Sequence, residues 1–361
     1  VVLFDLPAKE GPKNGIVTRA VDGLKKLKPA PLGLADEAAL IQPANYEEHL
    51  ELLKDCDLVI EAIAERMDWK LDLYRKIAPH VAPHAILASN TSGLSITKLS
   101  EALPAEMGPR FCGIHFFNPP RYMALVELIP TPATRADILD QLETFVTTAL
   151  GKSVVRAKDT PNFVANRVGI AGMMATMIEA GKFGLGFDVV DDLTGKKLGR
   201  ASSGTFRTAD VVGIDTLVKV AQGVADNCPA DEARALFTIP AWLQQMVNNK
   251  WLGDKSGQGF FKKTKGADGS KDIQVLDLKT MEYVPRQKPK FASVEASKAI
   301  DDLATRLKAL AGGADKAGAF YRQFHYALFS YIAHRIPEIS DDIYRVDDAL
   351  MAGFGDRKSV V

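Results

Sequence analysis

Two residues of this 361-residue chain have the types that proton transfer requires, in places where a site could form. His115 ends the run FCGIH (111 to 115) and is followed by Phe116-Phe117-Asn118-Pro119-Pro120. An imidazole at the carboxyl end of a parallel strand, beside a loop stopped by prolines, stands where ligand crevices form, and it changes charge near neutral pH. Glu127 interrupts the apolar run LVELI (125 to 129). A buried carboxylate needs a partner, and the next strand can place it beside His115, where it would orient the ring and stabilise the imidazolium. The plain alternatives are a hydrogen-bonded structural histidine and a solvated edge-strand glutamate.

Four further residues could serve a ligand. Asn166 sits three residues after Phe163 and four before Ile170, on the apolar side of a helix, where an amide must find partners in the core or in a ligand. Ser92 follows AILASN at a strand's carboxyl end, unless it is a simple turn hydroxyl, with Ser95 capping the next helix. Asp5 closes the strand VVLFD (1 to 5), where a dinucleotide-binding unit keeps the carboxylate that takes the ribose hydroxyls, although a capping Asp is the simpler reading. Lys255 lies in the glycine-rich LGDKSGQGFF (252 to 261), a loop that could approach a ligand or be only a turn.

The elements that must hold these residues follow from hydrophobic periodicity. Short apolar runs at 1 to 5, 57 to 63, 85 to 90, 111 to 117, 125 to 129 and 153 to 157 alternate with amphipathic stretches such as 69 to 77 and 136 to 150. That alternation predicts an α/β, mostly parallel, doubly wound sheet over 1 to 158. After Asp159-Thr160-Pro161 the pattern is helical only, and these residues predict the cap and first turn of a long helix. An all-α domain is expected at 159 to 263, a polar linker with a small hairpin (273 to 284) at 264 to 292, and further helices at 293 to 355. The acidic segment FDVVDDL (187 to 193) returns as YRVDDAL (344 to 350), each after a long helix, which reads as a partial internal repeat or as chance similarity.

No G-x-G-x-x-G occurs, so the phosphate loop of such a sheet is expected before residue 1, and the nucleotide domain is expected to lack its first strand. Residues 356 to 361 break the preceding pattern and back-translate to a sequencing-adapter sequence, so they are expected to be a non-native tail.

Composition bounds the partners. With 45 basic and 45 acidic residues the chain has no general field for nucleic acid or anionic membrane. The most apolar helical stretch, 168 to 178, is shorter than the roughly 18 to 20 residues of a membrane span. Three scattered cysteines, Cys56, Cys112 and Cys228, predict reduced thiols, a cytoplasmic setting and no metal site.

DLVIEAIAE (57 to 65), ASNTSGLSIT (88 to 97), GIHFFNPP through LVELI (113 to 129), ALGKSVVRAKDTPNFVANR (149 to 167), TADVVGIDT (208 to 216) and LGDKSGQGFF together resemble the L-3-hydroxyacyl-CoA dehydrogenase family over nearly all of residues 1 to 355. The resemblance implies a Rossmann-like domain followed by a helical domain of the 6-phosphogluconate-dehydrogenase type, and NAD as cofactor. It carries the family's catalytic His to His115, the orienting Glu to Glu127, the substrate-binding Ser to Ser92 and the active-site Asn to Asn166. It carries cofactor contacts to Asp5, Glu65, Lys70, Ser92, Asn118 and Lys255. Asn162 stands where the family usually has Gly in DTPGF.

The implied reaction is oxidation of an L-3-hydroxyacyl-CoA to the 3-ketoacyl-CoA in fatty-acid β-oxidation. The repeated helical unit further resembles multifunctional proteins in which the dehydrogenase is fused to, or associated with, an enoyl-CoA hydratase and a thiolase; a homodimer is the other expectation. Three alternatives remain at this level: a small 3-hydroxy-acid dehydrogenase, which the Asn166-Arg167 pair disfavours because that type would use a Lys there; a non-catalytic acyl-CoA- or NAD-binding relative of the same fold; and an acyl-CoA-binding subunit of a larger complex.

Overall fold

A computed structural model describes residues 1 to 265 and 271 to 354; the proposed tail at 356 to 361 lies outside the described residues. Contacts divide the chain into two compact units, Val1–Tyr122 with Pro130–Phe145, and Met123–Ile129 with 146 onward.

In the first unit, β1 (Val2–Asp5) leads through α1 (Gly15–Leu24) to β2 (Gln42–Asn45), which lies parallel to it with Asp5 opposite Asn45. β2 has no apolar run and contains Pro43, so periodicity does not reveal it. A proline is tolerated because β2 is one of only two strands in that sheet.

β3 (Leu58–Glu61), β4 (Ile86–Ser89) and β5 (Phe111–Phe116) are parallel neighbours in that order. β4 is buried throughout and β5 over its first five residues, the continuous burial of a parallel strand covered on both faces. α2 (Met67–Ile77) crosses from β3 to β4 with Asp68 in its first turn and Arg75 and Lys76 in its last, as the helix dipole favours. It buries Lys70, Tyr74 and Ile77, one stripe at helical spacing. α3 (Ile96–Ser100) starts on Ser95, whose hydroxyl accepts from the Lys98 amide at 3.2 Å.

β6 (Leu125–Pro130) and β7 (Ser153–Arg156) pair in parallel with Glu127 opposite Val155, and α4 (Ala136–Thr148) connects them. The long helix that follows, α5 (Ala165–Lys182), begins four residues after Pro161. Asn162 and Phe163 have positive φ, 64° and 53°, and left-handed backbone cannot belong to a right-handed helix. Asn is among the few side-chain-bearing residues that accept this conformation, which accounts for Asn162 where the resemblance expects Gly. The cap position falls on Val164 rather than on Asp159 or Thr160, and Glu127 reaches it from β6, accepting from the Val164 and Ala165 amides at 3.1 and 2.8 Å.

α6 (Phe187–Thr194), α7 (Phe206–Val212), α8 (Ile214–Asn227) and α9 (Ala241–Asn248) follow, and with α5 they are what the expected repeat would make its first helical copy. Its core joins Ile170, Met174 and Met177 of α5 to Phe187, Phe206 and Phe260, whose rings lie 4.4 to 4.9 Å apart. The stretch expected to be a linker is structured where it is described. β8 (Phe261–Lys265), β9 (Lys271–Asp277) and β10 (Glu282–Pro285) form an antiparallel sheet, and Val275 and Leu276 are buried in the helical core. The strands are short and rich in lysine and acidic residues, so on average the segment looks merely polar.

α10 (Ala292–Ser297), α11 (Leu303–Gly312), α12 (Lys316–Arg335) and α13 (Ile343–Phe354) follow. The two acidic repeats fall on α6 and α13, each after a long helix, α5 and α12. A Cβ on Gly169 of α5 would come within 2.6 Å of the Phe354 ring, so only glycine permits that approach of α13. No helix among the described residues is long and apolar enough to cross a membrane.

Candidate active site

In the first unit His115 is 3% exposed near the carboxyl end of β5, its ring tilted against Phe117 at 4.7 Å. The next residue is anchored by the loop after β4: the Phe116 amide donates to Asn90 Oδ1 at 2.9 Å. Ser92 is exposed in that loop. One carboxylate oxygen of Glu65 organises the whole turn, accepting from Thr91 Oγ1 (2.6 Å), the Ser92 amide (2.9 Å) and the Gly93 amide (3.0 Å).

Lys70 is fully buried. Its ammonium donates to Glu61 Oε1 at 2.6 Å and to the Ile63 carbonyl at 3.3 Å, and lies 3.9 Å from Glu65. Glu61 Oε2 accepts from Tyr74 Oη (2.7 Å) and Ser89 Oγ (2.8 Å). The structure therefore brings Glu65, Lys70 and Ser92 together, with Lys70 enclosed beneath the loop and Ser92 on its outside. Asp5 and Asn118 are exposed, Asp5 at the carboxyl end of β1 with its own Oδ1 taking the Leu6 amide.

In the second unit Glu127 is completely buried. The two amides it accepts are the unpaired donors of a helix start, a site that favours negative charge. Asn166, the next residue, is half-buried. Lys255 is half-exposed and forms an ion pair with Asp215 at the start of α8. The glycines around Lys255 answer to the protein itself: a Cβ on Gly253 would sit 2.2 Å from the Asp210 carbonyl oxygen, and one on Gly259 2.0 Å from Asp210 Oδ1. Asp210 accepts from the Phe260 and Phe261 amides at 2.8 and 2.9 Å, and burial pushes its carboxyl up to about 6 against those donors.

Sequence reasoning missed Glu61, Asn90, Thr91 and Asp215. Glu61 carried a usable signal, because it interrupts DLVIEAI as Glu127 interrupts LVELI. All three cysteines are free thiols, and burial pushes Cys112 up to about 12, far from reactivity.

Residues 12 to 160 match the family model "3-hydroxyacyl-CoA dehydrogenase, NAD binding domain", and residues 163 to 263 match "3-hydroxyacyl-CoA dehydrogenase, C-terminal domain". A "Probable 3-hydroxyacyl-CoA dehydrogenase" of Bacillus subtilis is 40% identical over 343 residues, 95% of this chain and 43% of the relative, so the chain spans less than half of that protein. A protein of the same description from Deinococcus radiodurans is 43% identical over 266 residues, 73% of this chain and 76% of its own length. The crystal structure of 3-hydroxybutyryl-CoA dehydrogenase from Escherichia coli K12 superposes with a TM-score of 0.72 at 22% identity, covering 98% of this chain and 84% of that one, a likeness of fold. On two adjoining family models and a relative matched over three quarters of its length, the chain belongs to the 3-hydroxyacyl-CoA dehydrogenase family.

Proposed function

We propose that this protein oxidises the hydroxyl of an L-3-hydroxyacyl-CoA to the 3-ketone with NAD, in fatty-acid β-oxidation. The observation that carries the reading is Glu127: a completely buried carboxylate in mid-strand, held by the two free amides at the start of the helix that bears Asn166. A buried charge so provided for is maintained for use on a neighbouring cation, and an imidazolium is the cation this chemistry generates.

His115 accepts the proton of the C3 hydroxyl as general base, and Glu127 stabilises the resulting imidazolium. Ser92 and Asn166 hydrogen-bond the substrate oxygens and hold C3 in position. The polar groups present suit a dinucleotide: Asp5 offers an exposed carboxylate to a ribose diol, Ser92 and Asn118 offer exposed donors and acceptors, and Lys255 offers a half-exposed cation. When bound, NAD supplies the hydride acceptor. Lys70, being buried, and Glu65, occupied by the loop, support Ser92 from beneath.

In the full-length protein His115→Gln is expected to lose about 10² to 10⁴ in turnover with NAD affinity nearly unchanged, read by steady-state kinetics and equilibrium binding. Wild-type turnover in that variant would overturn the assignment of the base.

A further inference from the structure

Between β7 and the first turns of α5 the chain is pinned at two places by the second helical copy. At the first, the Lys158 amide donates to the Ile339 carbonyl at 3.1 Å, while its ammonium reaches the Pro337 carbonyl at 2.7 Å and Asp341 at 2.8 Å. At the second, Arg167 is fully buried. Its Nε donates to Tyr331 Oη at 2.5 Å, and its Nη2 donates to Asp231 at 2.7 Å and Glu338 at 3.3 Å. Tyr331 Oη in turn donates to Asp231 at 3.0 Å, so one hydroxyl relays between the guanidinium and the carboxylate. Phe354 packs on Gly169 two residues further along.

Between the pins lie the groups the proposed reaction needs: the Val164 and Ala165 amides that hold Glu127, and the side chain of Asn166. The N-cap residue, Val164, has no side chain that can cap the helix, whose first amides are held by Glu127 of β6 instead, and left-handed Phe163 stores strain just before it. The position of this helix start is thus set from outside.

We infer that the second helical copy positions the active site through Tyr331, which fixes Arg167 and with it the helix start that holds Glu127 and Asn166. Tyr331 touches neither substrate nor cofactor in this account; it is a positioning residue. The inference rests on the proposed roles of Glu127 and Asn166. It also assigns the second copy a task beyond covering α5.

The test compares two variants of the full-length protein, each losing one buried hydroxyl from the same helix. Tyr331→Phe breaks the relay to Arg167; Tyr321→Phe removes a 2.9 Å hydrogen bond to the Leu193 carbonyl, away from the connection. Small misplacements of reacting groups are costly, so Tyr331→Phe is expected to lower kcat about tenfold with KM for NAD unchanged. Hydrogen exchange at the Val164 and Ala165 amides should accelerate by about the same factor. Tyr321→Phe should lower the melting temperature comparably and leave both readouts at wild-type values. Wild-type kcat and exchange in Tyr331→Phe, or equal effects in the two variants, would overturn the inference. Should the wild type show no dehydrogenase activity, the proposed reaction falls, while the exchange comparison still decides whether Tyr331 holds the helix start.

Discussion

Among the described residues each unit buries an ion pair built to the same plan, and the two are finished differently. Glu61 and Asp231 both have side chains 1% exposed, both face a fully buried cation (Lys70 and Arg167), and both accept from a tyrosine hydroxyl (Tyr74 and Tyr331). Around Glu61 the partners are local, 9, 13 and 28 residues away, all on β3, α2 and β4, and both carboxylate oxygens are filled. Around Asp231 they are 64 and 100 residues away, and the pair opens into a wider network: Arg335 lies at 3.6 Å and also faces Glu232 and Glu338, while Arg167 Nη1 and Arg335 Nε find no hydrogen-bond partner among the described residues. Burial would raise the Asp231 carboxyl, but Arg167, the Ala233 amide, Tyr331 and Arg335 together hold it below the usual range.

The difference teaches what each pair is for. Lysine offers a compact charge, and the Glu61 pair closes on itself with one loose end, the 3.9 Å approach to Glu65 beneath the Ser92 turn. Arginine offers a fork, and the Asp231 pair uses it to join α5 to α12. One is local support for a loop; the other is a joint between distant parts of the chain.

The largest effect that would break this contrast is Arg167→Met. Removing one partner of a buried pair costs about 3 to 5 kcal/mol because the other charge is stranded. Arg335 remains beside Asp231, so a loss toward the lower end is expected by urea unfolding. A cost under about 1 kcal/mol would mean that the joint does not hold the copies together. Next in size, acid should weaken the second unit. Burial, with Arg200 adding to it against the Tyr321 carbonyl, lowers His325 to about 4. Below pH about 6.5 the unfolded chain takes up a proton that the folded chain refuses until about pH 4, so this contribution is present above 6.5 and lost as pH falls through 4. Between pH 7 and 5 a loss of about 1 to 2 kcal/mol is expected, and thermal melts of His325→Phe should lack it. Smallest is Tyr74→Phe, about 0.5 to 1.5 kcal/mol, since Glu61 keeps Lys70, Ser89 and the Ile63 amide. A loss as large as that of Arg167→Met would erase the distinction between the two pairs.

The same contrast explains what the residues alone revealed. β3 to β7 announce themselves as apolar runs, because burial in a parallel sheet is written locally. β2 is invisible because its pairing with β1, not its composition, makes it a strand. The start of α5 is not legible locally because its cap comes from Glu127, 37 and 38 residues earlier, and no spacing rule reaches that far. Glu65 and Lys70 are marked only by the resemblance, and their union with Glu61 beneath the loop needs three elements to fold. Arg167, Asp231 and Tyr331 are individually ordinary, and only the packing of α12 against α5 gives them a joint task.

The most direct test of the central claim is NADH formation by the full-length wild-type protein supplied with NAD and L-3-hydroxyacyl-CoA esters of graded chain length. The account predicts NADH accumulation with an L-ester, none with the D-enantiomer, and 3-ketoacyl-CoA formed in equal amount. A folded protein that binds NAD and yields no NADH with any of these esters would contradict it.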